Sequence, residues 1–149
     1  MIDIELYKTE NEINEKIGRE KYVNFLYTYL DPFGDSKNAI NKCLDYAFSE
    51  AEGKGGFLLA AKKDEQLVGA LVMNKTGMQE YIPENILVYV AVDSEQRGQG
   101  IGRTIIEKAL ELAEGDVALH VEYENPAKRL YDRIGFDSKY AEMRYKNKN

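Results

Sequence analysis

Seven consecutive residues, Arg97-Gly98-Gln99-Gly100-Ile101-Gly102-Arg103, have the make-up of an anion site. Glycines let an anion approach the backbone closely, and the two arginines add full positive charge. Ahead of them Leu87–Val92 is an apolar run bounded by polar residues, which reads as a buried strand. Behind them Ile101, Ile105, Ile106, Ala109, Leu110, Leu112 and Ala113 recur at helical spacing, with Glu107, Lys108, Glu111 and Glu114 on the other face. A strand, a glycine-rich turn and a helix in this order aim the unpaired N–H groups of the helix's first turn at one point, where the helix dipole adds partial positive charge. The implied chemistry is the binding of a phosphate or pyrophosphate. A P-loop would need Gly-Lys-Ser/Thr after its glycines, and a dinucleotide fold would need G-x-G-x-x-G; the spacing here is G-x-G-x-G, followed by Arg103. A protein using this cradle for ATP or NAD would lack its fingerprint.

A second group of candidates lies between Leu119 and Phe136. His120 is the only histidine; alternation with Leu119 and Val121 turns it and Glu122 away from the core. Such a histidine is either a structural residue near a sheet edge or a proton acceptor. Asn125 precedes Pro126 and reads as a helix cap, a role compatible with ligand contact. Tyr131 either fills a helix–sheet interface with its hydroxyl at the rim or presents that hydroxyl to a site. Cys43 sits in an apolar helical pattern and reads as a small core residue rather than a nucleophile. One His and one Cys make no metal-ligand set, and no Ser-His-Asp or Cys-His arrangement is present.

The elements that must position these groups follow from the rest of the chain. Ile2, Ile4 and Leu6 alternate with polar residues as a first strand. Thr9, with Glu12 three residues later, caps a helical stretch that runs to Leu30 and that Gly18 divides or kinks. Asp31–Asp35 is a turn, Ser36 caps the next helix, and Gly53, Gly55 and Gly56 end it. Phe57–Ala61 and Leu67–Met73 form a hairpin, and the looser residues 74–85 lead into the central strand. After the central helix come a strand at Val117–Val121, a helix from about Pro126 to Ile134 with the proline suited to its first turn, and a closing strand at Phe136–Lys146. Antiparallel strands leading into a parallel β-α-β unit make a mixed α/β sheet.

Composition narrows the function. A chain of 149 residues suits one domain, 1–149, with a sizeable core. Acidic residues outnumber basic ones, 26 against 20, for a net charge of -6, and no Lys/Arg cluster offers a face to nucleic acid. No apolar run has the length of a membrane span, and the first residues are not those of a signal peptide. A lone cysteine fits a reducing compartment. The expectation is a cytoplasmic protein without nucleic-acid or membrane partners.

Arg97-Gly98-Gln99-Gly100-Ile101-Gly102, directly after Val90-Ala91-Val92, resembles motif A of the GNAT N-acetyltransferase superfamily, Arg/Gln-x-x-Gly-x-Gly/Ala. His120 to Tyr131, followed by Ile134-Gly135-Phe136, resembles that family's motif B, and the order of elements matches over nearly the whole chain. The resemblance implies a GNAT fold: one mixed β-sheet whose central parallel strands splay apart, flanked by about four helices. It implies acetyl-CoA as cosubstrate, its pyrophosphate held by Arg97–Arg103 and its pantetheine arm along Val90, Ala91 and Val92. It places Asn125 on the pantetheine and the Tyr131 hydroxyl near the thioester sulfur, and some members carry a glutamate base where His120 stands. Related sequences commonly set the tyrosine seven residues after the asparagine, whereas here the spacing is six. Either the turn at Pro126 is tightened or Glu124 takes the asparagine's place.

The chemistry so implied is direct acetyl transfer to a primary amine of a small molecule or peptide, without a covalent intermediate. An amine protonated at neutral pH must lose its proton before attack, for which His120 or a water chain would serve. A strand N–H near Val92 would stabilise negative charge on the carbonyl oxygen. By the resemblance, the acceptor would meet Leu30–Asp35, the segment before the central strand and the C-terminal residues, which carry Asp31, Asp35, Glu80, Glu84 and Glu142 beside Phe33, Tyr81, Tyr89 and Tyr140. Those side chains suit a cation, although an acidic protein has acidic loops throughout. The 13 residues after Phe136 are few for the family's usual hairpin, so a second subunit could complete that side, and a homodimer is a fair expectation. The alternative from another class is a non-catalytic acyl-CoA-binding module that kept motif A and lost the acceptor chemistry.

Overall fold

The computed structural model describes residues 1–148. Five strands form one sheet in the order β1-β2-β3-β4-β5: β1 (Ile2–Tyr7), β2 (Gly56–Lys63), β3 (Gln66–Lys75), β4 (Asn85–Val92) and β5 (Val117–Leu119). Four of them are antiparallel neighbours, and β5 lies parallel to β4. Helices α1 (Glu10–Lys16), α2 (Arg19–Leu30) and α3 (Lys37–Phe48) follow β1; α4 (Ile101–Leu112) joins β4 to β5, and α5 (Ala127–Ile134) follows β5.

Local chemistry sets most of these boundaries. Thr9 Oγ1 accepts from Glu12 N–H at 3.1 Å, and the Glu12 carboxylate takes Lys8 N–H in return, also at 3.1 Å. Gly18, at φ +99°, ends α1 and starts α2, so the stretch to Leu30 is two helices. Asp64 and Glu65, both at positive φ, form the two-residue turn of the β2–β3 hairpin. α5 begins one residue later than the sequence suggests, with Pro126 at its N-cap.

The sheet is apolar on both faces. Tyr22, Leu26, Ile40 and Leu44 of α2 and α3 pack with Leu58, Ala60, Ala70 and Val72 on one side. Ile101, Ile105, Ile106 and Ala109 of α4 pack with Leu59, Ala61, Leu71 and Met73 on the other. Covering both faces explains why β2 and β3 read as continuous apolar runs. Among the described residues, no helix is long and apolar enough to cross a membrane.

The C-terminal expectation is corrected. Phe136–Lys146 is not a strand; beyond Phe136, which packs against the α4 side of the core, the chain has no regular structure. An alternating pattern becomes a strand only where a neighbouring edge accepts its backbone. Here the chain leaves α5 through Gly135 at φ +125° and runs exposed from Asp137 to Lys148. Strand β5 is likewise shorter than expected, stopping at Leu119.

Candidate active site

Strand β4 carries a bulge that shapes the site. Its register against β3 shifts so that Leu87 opposes Met73 and Tyr89 opposes Val72, leaving Val88 as the extra residue. Side chains change sides there: Leu87 packs on the α4 face, Tyr89 and Ala91 on the α2–α3 face, and Val90 and Val92 on the α4 face again. Backbone groups change sides as well. Before the bulge Asn85 N–H donates to Asp116 C=O of the β5 side at 3.0 Å; beyond it Asp93 N–H donates to Val68 C=O of the β3 side at 2.9 Å. By alternation, the Tyr89 and Ala91 backbone pairs with β3, and that of Val90 and Val92 points toward β5.

β5 is not there to meet it. The parallel pairing ends at Leu87 opposite Leu119, so the two strands diverge while β4 runs on to Val92. Val90 N–H and C=O and Val92 N–H therefore face an open wedge, suited to a ligand that carries amide groups. Ala91 shapes this edge from behind and does not line it.

At the mouth of the wedge stands the cradle. Gly98 and Gly100 both have φ +81°, and the space beside their Cα atoms is open, so backbone conformation rather than crowding requires glycine there. The first helical hydrogen bond of α4 runs from Thr104 N–H to Gly100 C=O at 3.0 Å. The N–H groups of Gly100, Ile101, Gly102 and Arg103 precede it and have no intrahelical acceptor. Gly102 lies where α4 packs closely: a Cβ there would be 3.3 Å from Leu130 Cδ2, which would have to give by a few tenths of an ångström, and in ordinary contact with Val92 Cγ2 at 3.6 Å.

The charged side chains of the motif are placed less simply. Arg97 donates from Nε to Val92 C=O at 3.2 Å and from Nη2 to Tyr29 C=O at 3.0 Å, tying the end of β4 to the end of α2. Arg103 pairs with Glu107 at 3.4 Å, and Gln99 accepts from Lys63 Nζ at 3.2 Å. Lys63, at the end of β2, is a cation at the cradle that local sequence gave no sign of, because only the sheet brings it there.

On the far side of the wedge, Tyr131 of α5 is 9% exposed and sits edge-to-face with Phe136 at 5.9 Å between ring centroids. Burial pushes its phenol up to about 12, so the hydroxyl keeps its proton throughout the neutral range. That hydroxyl has no hydrogen-bond partner among the described residues. Asn125 caps the following turn, its Oδ1 accepting from Ala127 N–H at 2.9 Å while its Nδ2 stays available. His120 stands exposed just past the end of β5, with Leu119 and Val121 turned to the core as the alternation requires. Among the described residues, no cluster of His, Cys, Asp and Glu could hold a metal ion.

A further contact joins β4 to the turn after α2. Tyr89, from the α2–α3 face of β4, donates its hydroxyl to Asp35 Oδ2 at 2.7 Å. Burial first, and then the Asp35 carboxylate, raise the Tyr89 phenol far above its ordinary value. Together with the Arg97–Tyr29 contact, this pins the Asp31–Ser36 turn over the C-terminal half of β4. The sequence marks Asp35 and Tyr89 separately; their pairing across 54 positions is tertiary. Cys43 is not part of the site: Asn74 Nδ2 donates to its sulfur at 3.3 Å, and burial holds its thiol at about 11, where it is no nucleophile.

Residues 19–136 match the model of the acetyltransferase (GNAT) family. The fold is similar to that of the ribosomal-protein-alanine N-acetyltransferase from Brucella melitensis biovar Abortus 2308, with TM-score 0.66 and 18% identity over 99% of both chains. It is similar also to the aminoglycoside N-acetyltransferase AAC(6')-Iy in complex with CoA, with TM-score 0.72 and 14% identity over 100% of this chain and 96% of that one. A third likeness is to an aminoglycoside acetyltransferase from an uncultured soil metagenomic sample, solved with sisomicin: TM-score 0.59, 16% identity, covering 99% of this chain and 95% of that one. At these identities the likeness is one of fold. No curated protein sequence matches this one.

Proposed function

Since the chain belongs to the acetyltransferase (GNAT) family and uses acetyl-CoA, we propose that its acceptor is a primary amine of a cationic small molecule or peptide, acetylated by direct attack. The observation that carries this reading is the Asp31–Ser36 turn, which bears Asp31 and Asp35 and which the Tyr89–Asp35 hydrogen bond holds against β4. Fixed carboxylates concentrate and orient a protonated amine. Relatives of like fold include aminoglycoside and ribosomal-protein-alanine N-acetyltransferases, consistent with an amine.

The residues present fit acetyl-CoA. The free N–H groups of Gly100–Arg103 suit a pyrophosphate, the unpaired edge at Val90 and Val92 suits the amides of a pantetheine arm, and Asn125 Nδ2 remains as a further donor. When bound, the cosubstrate supplies an activated acetyl thioester. Val92 N–H, directed into the wedge, is the donor for a developing oxyanion. Tyr131 holds a proton at its hydroxyl and delivers it to a departing sulfur. His120 accepts the proton of the incoming amine, directly or through water. Much of the rate comes from holding two substrates in line. The domain responsible is a single one spanning the chain.

Turnover is the test. With acetyl-CoA present, release of free CoA thiol is measured against polyamines, aminoglycosides, peptides with a free α-amine, and N-acetylated peptides as controls. Amines should stimulate release and the blocked peptides should not. Asp35→Asn should raise KM for a dicationic amine about tenfold, the loss of one partly screened charge contact of roughly 1.4 kcal/mol, and leave CoA affinity unchanged. Binding of acetyl-CoA with no turnover by any amine would instead identify a binding module.

A further inference from the structure

The first turn of α4 offers N–H groups and about half a unit of positive charge, against a pyrophosphate that is doubly negative. A full cation beside the turn would strengthen the match, and both arginines of the motif are already engaged. Arg97 Nε and Nη2 donate to the carbonyls of Val92 and Tyr29, at 3.2 and 3.0 Å. Arg103 pairs with Glu107, one turn further along α4.

The sheet brings another cation to the same place. On β2, Leu59 and Ala61 pack on the α4 face. Lys62 turns to the α2–α3 face, where it pairs at 3.0 Å with Glu5, two residues before the Tyr7 of that core. Alternation returns Lys63 to the α4 face. A close approach fixes where it stands there. A Cβ added to Gly69 would lie 3.1 Å from Ala61 Cβ and 3.3 Å from Ile101 Cγ2, so α4 sets its first residue down on the Ala61–Gly69 pair. Lys63 follows Ala61 by two residues, about 7 Å along the strand. Its Nζ donates to Gln99 Oε1 at 3.2 Å, and Gln99 stands between Gly98 and Gly100.

The two neighbouring lysines differ in what balances them. Lys62 is buried and neutralised by Glu5. Lys63 is half-buried, and among the described residues no carboxylate pairs with it, although Asp64 and Glu65 adjoin it in the hairpin turn. The amide oxygen of Gln99 is a neutral acceptor. A phosphate oxygen is charged, and so is the stronger partner for an ammonium group. The contact with Gln99 thus keeps Lys63 at the cradle without cancelling its charge.

We infer that Lys63 binds the pyrophosphate of acetyl-CoA, an assignment that rests on the cradle at Gly98–Arg103 being the site of that group. Lys63 Nζ exchanges the Gln99 oxygen for a phosphate oxygen, with no covalent step. The end of the β2–β3 hairpin is thereby part of the cosubstrate site, on the opposite side of the cradle from Asn125 and α5.

Titration calorimetry of the full chain with CoA and with 3′-dephospho-CoA tests this. Lys63→Gln keeps a polar side chain and removes the charge. It should weaken both ligands by the same factor, roughly tenfold, as for loss of a hydrogen bond to a charged group, and should make binding less sensitive to salt. Lys63→Arg should recover most of the affinity. Lys63 makes a single side-chain hydrogen bond, so Lys63→Gln should fold normally, which a thermal melt without ligand verifies. Equal CoA affinity in Lys63→Gln and the unmodified protein would overturn the inference and leave the cradle's role intact. A loss seen with CoA and absent with the dephospho form would overturn it too, by moving Lys63 to the 3′-phosphate, as would a loss that arginine does not repair. Failure of the unmodified protein to bind CoA would overturn the assignment of the cradle itself, and the inference with it.

Discussion

Tyr22 and Tyr131 lie on opposite faces of the same sheet, and they differ in what their hydroxyls touch. The Tyr22 hydroxyl is fully enclosed between α2 and the sheet, 2.9 Å from Leu59 C=O, 3.0 Å from Leu71 C=O and 3.2 Å from Leu71 N–H. The Tyr131 ring is almost as well covered, yet its hydroxyl meets no protein group among the described residues. The contrast extends to the surroundings. On the α2–α3 face the Tyr22 and Tyr89 hydroxyls are satisfied within the protein, and Asn74 Oδ1 is the one buried polar side-chain atom without a partner among the described residues; on the α4–α5 face the first turn of α4, the Val90–Val92 edge and Asn125 Nδ2 are left with capacity to spare. Buried polar groups without partners cost stability. The free groups around the wedge escape most of that cost, because Gly100 and Arg103 are exposed and Asn125 is half-buried, so water can serve them until a ligand does.

Three substitutions probe this division, in falling order of their effect on turnover. Tyr131→Phe removes the proton that the proposed mechanism gives to the departing sulfur and should lower kcat by roughly a hundredfold, a usual size for loss of an acid, with CoA affinity unchanged; stopped-flow or steady-state thiol release measures it. The alkaline side of the pH–rate profile should not move in this variant below about pH 11, because the phenol it deletes titrates only at about 12. A kcat equal to that of the unmodified protein would reduce Tyr131 to a packing residue. Gly100→Val forces a β-branched residue into φ +81° and puts methyl groups into the open space of the cradle. The strain alone is about 1–2 kcal/mol, so calorimetric CoA affinity should fall by about tenfold or more, while kcat at saturation changes little.

Tyr22→Phe should leave turnover at 25 °C unchanged and act on stability. Removing a hydroxyl that joins three backbone groups should cost about 1–3 kcal/mol in urea unfolding. The pH dependence carries a further sign. Burial raises the Tyr22 phenol well above its ordinary value of 10.0, so the stability linked to its neutral form is complete below pH 10 and declines as pH rises beyond it, where only the unfolded chain ionises. The phenylalanine variant should show a shallower alkaline loss. If it instead loses activity in proportion to Tyr131→Phe, the two faces are not independent.

Much of this was legible in the residues themselves. Thr9 with Glu12, Gly18, Ser36 and the Arg97–Arg103 motif act over short range, and each does locally what its type dictates. Pro126 and Asn125 likewise sit at a helix start, with Asn125 Oδ1 on Ala127 N–H as a capping residue should be. Where reading along the chain fell short, the cause was long-range. Arg97 looks like a free charge for a phosphate, but its guanidinium is held by carbonyls of Val92 and of Tyr29, the latter 68 positions away. The closing strand fits the alternation of Tyr140–Lys146 and is absent because the chain beyond α5 pairs with neither outer strand of the sheet, a matter of path rather than of local pattern.

The sequence by itself determined where helices start, which faces are apolar and where the glycine-rich turn before α4 stands, since these depend on side-chain type and spacing within a few residues. Tertiary structure decided what surrounds that turn. One extra residue, Val88, exchanges the sides of β4, and the end of pairing at Leu119 opens the wedge beside Val90 and Val92. Nothing in Leu87–Val92 read alone distinguishes a bulged strand from a regular one, because a bulge is a mismatch between two strands and exists only once both are paired.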